Sequence, residues 1–333
     1  MDNMVITGGL GFIGSNFVHH FLQTREETAI TNVDYEGLGS NPTSMADLRN
    51  NKRYKFVRAN MANSRASRAV LKGADFVVHF AAETHVDRSI ANPRPFLESN
   101  LAATFNLLEA CRMNRVKKLV HISTDEVYGS ISVGSFGESS PLSPASPYSS
   151  TKAGADLMVQ AWNRTYNLPV VTLRCTNNFG PFQHPEKFIP KIIIRSIMGQ
   201  NVPLYGGGEQ VRDWIYVLDF CTAIETALEI GKHGEVYNIS AGNEFSNREV
   251  AERLLKQLGK PMDNIVTVED RPGHDSRYSI SSEKASNELN WRPKHKFDEA
   301  VALTTKWYLA NPAWWKPLAT RKVLSPTPWK EHW

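Results

Sequence analysis

The chain has 333 residues, of which 41% are apolar and 22% are charged. This composition is typical of an ordinary soluble globular protein and excludes the disordered, collagen-like and disulfide-scaffold classes. The 38 Lys and Arg residues only slightly outnumber the 34 Asp and Glu residues and form no basic run, so we expect no nucleic-acid partner.

Cysteine usage and the N-terminal sequence indicate a cytoplasmic protein. Cys111, Cys175 and Cys221 form no CxxC pair and lie in apolar stretches, which predicts buried, reduced thiols. The sequence runs from Met1 directly into an apolar strand pattern at Met4, without the basic region of a secretory signal. No stretch has the ~18 consecutive apolar residues of a membrane span, so we expect no membrane association.

Short β-branched runs alternate with longer segments of helical period, which is typical of βαβ units. The pattern predicts an α/β fold with a doubly wound, mostly parallel (Rossmann) sheet. The clearest helix is predicted at residues 95–113, behind a proline-rich start. Strands are predicted at residues 4–7, 29–33, 55–58, 76–80, 118–123 and 170–175.

The pattern changes after Cys175, where prolines and the glycine run 206–208 interrupt the alternation. We expect a smaller, mixed C-terminal lobe to begin here, although strand patterns at 214–217 and 236–239 could rejoin the first sheet. The predicted domains are residues 1–179 plus 213–245 and residues 180–212 plus 246–333. The tail after Asn311 is rich in Trp and Pro, and we expect it to pack on the body of the protein.

A glycine-rich segment follows the first predicted strand. Gly9, Gly11 and Gly14 form the GxGxxG pattern, and the acidic Asp34 ends the second predicted strand. Such glycines let the backbone approach a pyrophosphate at a helix N-terminus, while the carboxylate accepts from ribose hydroxyls. A 2′-phosphate would meet Asp34 and Glu36 with no arginine beside them, which favours NAD over NADP. A turn that merely connects strand and helix is the alternative.

Two further segments carry reactive groups. Tyr148 and Lys152 lie four residues apart in YSSTK and share a helix face, where an ammonium would lower the pKa of the tyrosine and make it a base. Asp125 and Glu126 follow the fifth predicted strand in STDEVYG, at the edge where open α/β sheets bind ligands. Solvated charges on a helix face or a loop are the alternative for both segments.

These segments together resemble the nucleotide-sugar 4,6-dehydratases of the extended short-chain dehydrogenase family. The resemblance spans about residues 4–280 and extends to the Trp-rich tail. It rests on TGGLGFIGS, HFAAETHVDRS, STDEVYG, YSSTKAGAD, RCTNNFGPFQHPEKFIP, EQVRDWIYV and DRPGHDSRY.

The resemblance implies an NAD-dependent hydro-lyase with Thr124, Asp125, Glu126, Tyr148 and Lys152 as catalytic residues. Tyr148 would take a proton from the C4 hydroxyl as hydride leaves for NAD, Glu126 would remove the C5 proton, and a protonated Asp125 would release the C6 hydroxyl as water. Related decarboxylases and GDP-mannose dehydratases have Thr-Ser-Glu here. Hydride returned to C6 would then complete a 4-keto-6-deoxy sugar.

The resemblance also implies the binding residues. The residues expected to bind NAD are Gly8, Gly11, Phe12, Ile13, Gly14, Asp34, Tyr35, Asn60, Met61, Phe80, Ala81, Ala82, Ser99, Tyr148, Lys152 and Asn178. The residues expected to bind the nucleotide sugar are Thr84, Thr124, Asn177, Lys187, Phe188, Pro203, Tyr205, Arg212, Asn238, Arg271 and His274. His79, His85 and His121 lack metal spacing, and we expect no metal.

The expected substrate is dTDP-glucose, with UDP-glucose as the alternative, and the expected assembly is a homodimer formed through the helices at 95–113 and 148–166. Asn60 replaces the aspartate that relatives commonly have near adenine, and Tyr35, Glu36 and Gly37 depart from their Lys-Leu-Thr. An epimerase or decarboxylase of the same scaffold, or a non-catalytic NAD-binding regulator, are the rival interpretations.

Overall fold

The structure is a computed structural model that describes residues 3–333. The expected first domain begins with residues 1 and 2, which lie outside the described residues. Strands and helices alternate through the first half of the chain. In order they are β1 (Asn3–Thr7), α1 (Phe12–Thr24), β2 (Ala29–Asp34), a 3₁₀ turn (Pro42–Leu48), β3 (Tyr54–Arg58), α2 (Ser64–Val70), β4 (Phe76–His79), α3 (Val86–Ala91), α4 (Arg94–Phe96), a π-helical segment (Leu97–Ala102), α5 (Ala103–Asn114), β5 (Lys118–Thr124), a 3₁₀ turn (Asp125–Tyr128), α6 (Pro147–Tyr166) and β6 (Val170–Cys175).

The second half is less regular, as the interrupted pattern predicted. Its elements are β7 (Asn177–Phe179), α7 (Phe188–Ile197), β8 (Val202–Tyr205), β9 (Val211–Tyr216), α8 (Val217–Ile230), β10 (Val236–Ile239), β11 (Glu244–Ser246), α9 (Asn247–Gln257), a 3₁₀ turn (Met262–Asn264), β12 (Ile265–Val268), α10 (Glu283–Glu288), α11 (Phe297–Ala310), α12 (Pro312–Trp315) and a 3₁₀ turn (Pro328–Lys330).

The central sheet confirms the predicted α/β class. Among residues 3–333 it has seven strands, all parallel, in the order β10-β6-β5-β4-β1-β2-β3. The strand order reverses at β1, which has β2 on one side and β4 on the other. Because ligands of such sheets bind at the carboxyl ends of the strands near this reversal, the fold directs attention to the segments after β1, β2 and β4.

The helix predicted at 95–113 forms as one continuous rod, from α4 through the π-helical segment into α5. It ends at Asn114, after which Arg115 adopts the left-handed conformation with φ of 53°. Helix α6 is well defined at its start, because Ser146 and Ser149 form a capping box and Pro147 occupies the first turn.

Strand β9 corrects one expectation. The strand pattern at 236–239 joins the central sheet as β10, but β9 pairs with β7 and β11 in a separate three-stranded sheet. The cause is Asp213 of β9, whose buried carboxylate accepts from the amides of Ala241, Gly242 and Asn243. These bonds fold the chain back after β10, so that β11 lies antiparallel to β9.

The core has separate hydrophobic clusters in the two halves of the molecule. One covers a face of the central sheet and contains Ile6, Phe17 and Val120, and another packs α7, α9 and α11 around Phe179 and Leu254. A further cluster with Val5 and Leu107 covers the other face of the sheet. The three cysteines are buried free thiols, as predicted. No helix within residues 3–333 has the length and apolarity to cross a bilayer.

The Trp-rich tail packs on the body, as predicted. Trp315 is only 3% exposed and donates to the carbonyl of Tyr308. Trp314 donates to Ser44, which joins the tail to the 3₁₀ turn after β2. The ring of Trp329 packs edge-on against Tyr205, so the tail contacts β8 as well.

Candidate active site

The glycine-rich turn between β1 and α1 leaves no room for side chains. Gly8 has a φ of +75°, and a Cβ there would lie 2.6 Å from the backbone nitrogen of Ala81. A Cβ on Gly14 would lie 2.5 Å from the carbonyl oxygen of Gly8. The turn therefore brings bare backbone, including Gly11 at the N-cap of α1, to the wall of a deep cavity.

Asp34 ends β2 at the edge of the same cavity. Its carboxylate accepts from the amides of Leu10 and Glu36 and from the hydroxyl of Ser40, at 2.7 to 3.1 Å. Burial raises the pKa of this carboxyl, and the hydrogen bonds oppose the rise. The amide of Leu10 ties the glycine-rich turn directly to the acidic residue.

An arginine does lie beside Glu36, so the expectation that none would is wrong. Arg58 is the register partner of Asp34 on β3 and pairs with Glu36 at 2.9 Å. Its side chain is 71% exposed and does not line the cavity, so the Asp34 carboxylate still faces any ribose there without an intervening cation. The preference for NAD therefore rests on Asp34 alone.

We call this cavity the dinucleotide cavity. It runs from the glycine-rich turn, past the ends of β4 and β5, to α6. The residues expected to bind NAD that line it are Gly8, Gly11, Phe12, Ile13, Gly14, Asp34, Tyr35, Met61, Phe80, Ala82, Tyr148, Lys152 and Asn178.

Asn60, Ala81 and Ser99 do not line the dinucleotide cavity. The side-chain oxygen of Asn60 accepts from the amide of Ala62 and so turns back on its own loop. Ala81 lies beneath the glycine-rich turn, where its backbone contacts Gly8. For Ser99 the structure shows no contact with the cavity, although its neighbour Asn100 holds the backbone of Glu83 through two hydrogen bonds.

Tyr148 and Lys152 lie one turn apart on α6 and both line the cavity. The ammonium of Lys152 donates to the carbonyl of Ile122 at 2.6 Å. Burial lowers the pKa of Lys152 to about 8, and the nearby Asp156 opposes this. Burial also raises the pKa of Tyr148 well above its usual value, with Glu126 adding to the rise and a hydrogen bond with Thr124 opposing it.

The prediction that Lys152 lowers the pKa of Tyr148 is therefore wrong when only the protein's own groups are considered. Burial outweighs charge here, because the tyrosine is only 7% exposed and two carboxyl groups lie near it. The protein groups around Tyr148 therefore favour its protonated form.

Asp125 and Glu126 begin the 3₁₀ turn that follows β5, rather than a strand. Thr124 caps this turn by accepting from the amide of Glu126, and its hydroxyl donates to Asp125 at 3.2 Å. One oxygen of each carboxyl group, Oδ2 of Asp125 and Oε2 of Glu126, is buried without a hydrogen-bond partner among residues 3–333. Both groups therefore have an acceptor or donor site available for a ligand.

The two carboxyl groups differ in their electrostatic surroundings. Burial raises the pKa of Asp125 well above its usual value, and the charge of Glu126 raises it further. Burial also raises the pKa of Glu126, but the cations Arg271, Arg212 and Lys187 oppose it. Neighbouring carboxyl groups with such different environments are suited to an acid and a base respectively, with Asp125 holding the proton.

A second cavity adjoins the first, and we call it the nucleotide cavity. Thr84, Glu126, Asn177 and Lys187 line both cavities, so the two meet at the Asp125–Tyr128 turn, which we call the catalytic turn. The residues expected to bind the nucleotide sugar that line the nucleotide cavity are Thr84, Asn177, Lys187, Phe188, Pro203, Tyr205, Arg212, Arg271 and His274, while Thr124 lines the dinucleotide cavity.

The cations of the nucleotide cavity are held by protein carbonyls and one carboxylate. Arg271 donates to Asp87 at 2.8 Å, and Tyr205 donates to the other oxygen of Asp87 at 2.9 Å. Lys187 donates to the carbonyl of Thr84 at 2.7 Å. Arg212 lies over the ring of Tyr278 at 4.2 Å. Arg271, Lys187 and Arg212 are thus cations that a diphosphate could bind, and Lys191 also lines the cavity.

Asn238 lines neither cavity, whereas Asn247 lines the nucleotide cavity. The Asn238 side chain is fully buried, accepts from the hydroxyl of Tyr128 and donates to the carbonyl of Phe136.

Asn247 is the first residue of α9, directly after Ser246, which forms a capping box with Glu249. That Ser-x-x-Glu pattern is the sequence signal for a helix start at this site. Asp87, Trp214 and Tyr278 were missed as well.

His79, His85 and His121 are all buried. His79 and His121 lie side by side on β4 and β5 with ring centroids 5.5 Å apart, and burial lowers the pKa of His79 to about 3. His85 is buried in the nucleotide cavity beside Glu186. No group of three or more metal-ligating side chains occurs in the part of the chain that the structure describes.

Comparison with known proteins defines the class. The family model described as GDP-mannose 4,6 dehydratase matches residues 5–304, and the chain belongs to this family. A dTDP-glucose 4,6-dehydratase of Streptomyces niveus is 45% identical over 322 residues, covering 95% of each chain.

Two solved structures are also similar. The dTDP-glucose 4,6-dehydratase DesIV of Streptomyces venezuelae, solved with NAD and dTDP bound, has a TM-score of 0.93 and 43% identity, and the match covers 95% of this chain and 99% of DesIV. The dTDP-glucose 4,6-dehydratase of Bacillus anthracis, in complex with NAD, has a TM-score of 0.90 and 43% identity over 96% of this chain and 100% of that one. The resemblance to nucleotide-sugar 4,6-dehydratases is thereby confirmed.

Proposed function

We propose that this protein is a dTDP-glucose 4,6-dehydratase, which uses NAD to convert dTDP-glucose to dTDP-4-keto-6-deoxyglucose and water. The observation that carries the proposal is the catalytic turn. Asp125 and Glu126 share a cavity wall with Tyr148 and Lys152, and Glu126 also lines the second cavity. Arg271, Arg212 and Lys187 all lower the pKa of Glu126, whereas of these three only Arg212 lowers the pKa of Asp125. Dehydration needs an acid and a base at one sugar, and this pair provides both.

NAD fits the dinucleotide cavity. The bare backbone at Gly8 and Gly14 leaves space that a Cβ would fill, and Asp34 stands at the end of β2 for the ribose hydroxyls. Near the other end, the side-chain oxygens of Thr176 and Asn178 are buried without a hydrogen-bond partner among the described residues. Gly8, Gly11 and Asp34 would hold the adenosine diphosphate half, and Tyr148, Lys152 and Asn178 the other half.

The order of steps follows from the acidity of the sugar. A bound NAD would supply the hydride acceptor for C4 and the hydride donor for C6, and its positive charge would favour the phenolate of Tyr148. Tyr148 takes the C4 hydroxyl proton, with Thr124 beside it, and the resulting ketone makes the C5 hydrogen acidic. Glu126 then removes the C5 proton.

Elimination needs an acid as well. Asp125 retains its proton, because burial and the neighbouring Glu126 raise its pKa. It donates this proton to the departing C6 hydroxyl, which leaves as water. Once C6 is reduced, Glu126 would give its proton back to C5. Each such acid or base contribution is typically about 10² to 10⁴-fold in rate.

The thymidine nucleotide is supported by the relatives that match this chain over nearly its whole length. Several are dTDP-glucose 4,6-dehydratases at 40 to 45% identity. The family model carries the name of GDP-mannose 4,6 dehydratase. By the family resemblance, however, Asp125 stands where the GDP-mannose enzymes have serine. UDP-glucose is the second candidate, since the UDP-glucose dehydratases share the catalytic triplet.

Product mass and isotope position test the proposal together. Purified protein is incubated with dTDP-, UDP- and GDP-hexoses, and we expect dTDP-glucose to lose one water. Deuterium placed at C4 of the glucose should be recovered in the new methyl group. An unchanged product mass would favour an epimerase, and NAD binding without conversion of any sugar would favour the non-catalytic regulator. Either result would overturn the proposal.

We further infer a homodimer in the cytoplasm. The pairing surface is supported by exposed apolar side chains on the π-helical segment and α5 and on the adjacent α6. Leu97 and Phe105 are 54% and 45% exposed, and Leu157 is 55% exposed. The three buried free thiols fit a reducing compartment.

The domain division also remains a proposal, with residues 1–179 plus 213–245 as the NAD-binding domain and 180–212 plus 246–333 as the nucleotide-sugar lobe. The separate hydrophobic clusters support it, since α8 packs on the central sheet while α7, α9 and α11 form the other cluster. Phe179 of β7 and Trp214 and Tyr216 of β9 belong to the second cluster, so these two strands of the first domain pack on the lobe.

A further inference from the structure

A buried polar network lies behind the catalytic turn and outside both cavities. Its centre is Arg174 of β6, which is 2% exposed. The guanidinium donates to both carboxylate oxygens of Asp156, at 2.8 and 2.9 Å, and Asp156 is completely buried. This two-pronged ion pair joins β6 to α6.

The same guanidinium also contacts the catalytic turn. It donates to the hydroxyl of Tyr128 at 2.6 Å and lies over the tyrosine ring at 4.8 Å. The Tyr128 hydroxyl in turn donates to Asn238 of β10 at 2.8 Å, and the amide of Asn238 donates to the carbonyl of Phe136. Tyr128 is the last residue of the turn that begins with Asp125.

Arg174 therefore contacts both elements that carry reactive groups without lining either cavity. Asp156 lies one helical turn beyond Lys152 and two turns beyond Tyr148 on α6. Lys152 is itself anchored to the carbonyl of Ile122 on β5. The distance between the tyrosine and the acid–base pair thus depends on how α6 and the turn are held against the sheet.

We propose that Arg174 is a positioning residue for the reaction, which holds α6 through Asp156 and the catalytic turn through Tyr128. The proposal rests on the proposed function for its kinetic test. A buried ion pair contributes little net stability compared with apolar packing, because both charges lose their hydration. The Arg174–Asp156 pair is therefore better explained by the precise position that it gives to α6 and the catalytic turn. Misplacement of reacting groups by about 1 Å can lower a rate by about 100-fold.

The network also assigns a different role to Asn238. The family resemblance implied that it binds the sugar nucleotide, but its side chain bonds to Tyr128 and Phe136 inside the protein. Loss of a substrate contact would raise KM. Loss of a positioning contact would lower kcat and leave KM nearly unchanged.

The test compares Tyr128→Phe with a matched control, Tyr237→Phe. Tyr237 is a neighbour of Asn238 on β10, is fully buried, and its hydroxyl bonds to Glu288 and the amide of Lys232 instead of to the network. We expect Tyr128→Phe to lower kcat for dTDP-glucose by about 10- to 100-fold with KM changed less than about two-fold. The control should retain kcat within about two-fold. Equal kcat in the two variants, or a raised KM with normal kcat, would overturn the proposal.

Asn238→Ala provides the second variant should Tyr128→Phe fail to fold, and the same fall in kcat at constant KM is expected. Crystal structures keep the test independent of the substrate. A shift of the Asp125–Tyr128 turn relative to α6 of more than about 0.5 Å in the network variant, but not in Tyr237→Phe, supports positioning. An unmoved turn overturns it. A wild-type protein that leaves dTDP-glucose unchanged would refute the proposed function, while the structural comparison would still decide the role of the network.

Discussion

Tyr35 and Glu83 are joined by a hydrogen bond of 2.7 Å that spans the carboxyl end of β1. Tyr35 follows β2 and Glu83 follows β4, which are the two neighbours of β1 in the sheet. Those strands are separated by two strand spacings, about 10 Å. The two side chains therefore extend toward each other across the end of β1, beside the glycine-rich turn. Gly37 makes this possible, because a Cβ there would lie 2.2 Å from the Tyr35 hydroxyl.

This bond should slow the release of NAD. In Tyr35→Phe the bridge is lost, and we expect the dissociation rate of NAD to rise by roughly 3- to 10-fold, as fits a hydrogen bond between the buried Glu83 and the partly exposed Tyr35. Stopped-flow displacement of bound NAD measures the rate. Tyr54→Phe is the control, since its hydroxyl bonds to Asn32 outside the cavity. Equal release rates in the two variants would show that the bridge does not retain the cofactor.

Removal of the proton from the acid position should separate oxidation from elimination. Asp125→Asn retains the size of the side chain but cannot release a proton to the C6 hydroxyl. We expect kcat for dTDP-glucose to fall by about 10² to 10⁴-fold, while NADH absorbance still appears in a single turnover. Rapid-scan spectroscopy at 340 nm records the oxidation. Full turnover by this variant would contradict the acid role of Asp125.

Much of the fold was readable from the sequence because the strands of a parallel sheet are buried on both faces. The β-branched runs at 118–123 and 170–175 agree with β5 and β6 to within one residue. Glycines and acidic residues at strand ends likewise located the turn after β1 and Asp34, since these positions need particular backbone conformations and charges.

What remained hidden depends on contacts between distant segments. The pairing of β9 with β11 follows from bonds between Asp213 and the amides of 241–243, which no local pattern encodes. The pair Glu36 and Arg58 exists only because β2 and β3 have a particular register. The sequence also does not show that Asn247 lines the nucleotide cavity while Asn238 is buried behind the catalytic turn, because both positions depend on the tertiary fold.

The protonated Asp125 should cost stability at neutral pH. The pKa of Asp125 is higher in the folded state than in the unfolded state, so the folded state binds an extra proton. The stability that this proton contributes is fully present below the unfolded pKa, near 3.9, and is lost as pH rises through the folded pKa. Asp125→Asn has no titration there. The variant should therefore gain in Tm relative to wild type as pH is raised from about 5 to 8. Calorimetry at several pH values measures this, and a Tm difference that is constant with pH would contradict the raised pKa.

The exposed apolar side chains on α5 and α6 predict how the protein can be made monomeric. Phe105 of α5 packs edge-on against Trp162 of α6 and is still 45% exposed, and Leu157 of α6 is 55% exposed. A charge at such positions would be desolvated in a symmetric helix pair, where the same patch meets itself. We expect Phe105→Glu and Leu157→Glu to give a monomer in size-exclusion chromatography with light scattering, while wild type gives a dimer. Leu309→Glu, on the distant α11 and 56% exposed, is the control and should remain dimeric. A dimeric Phe105→Glu and Leu157→Glu protein, or a monomeric wild type, would show that this helix pair is not the interface.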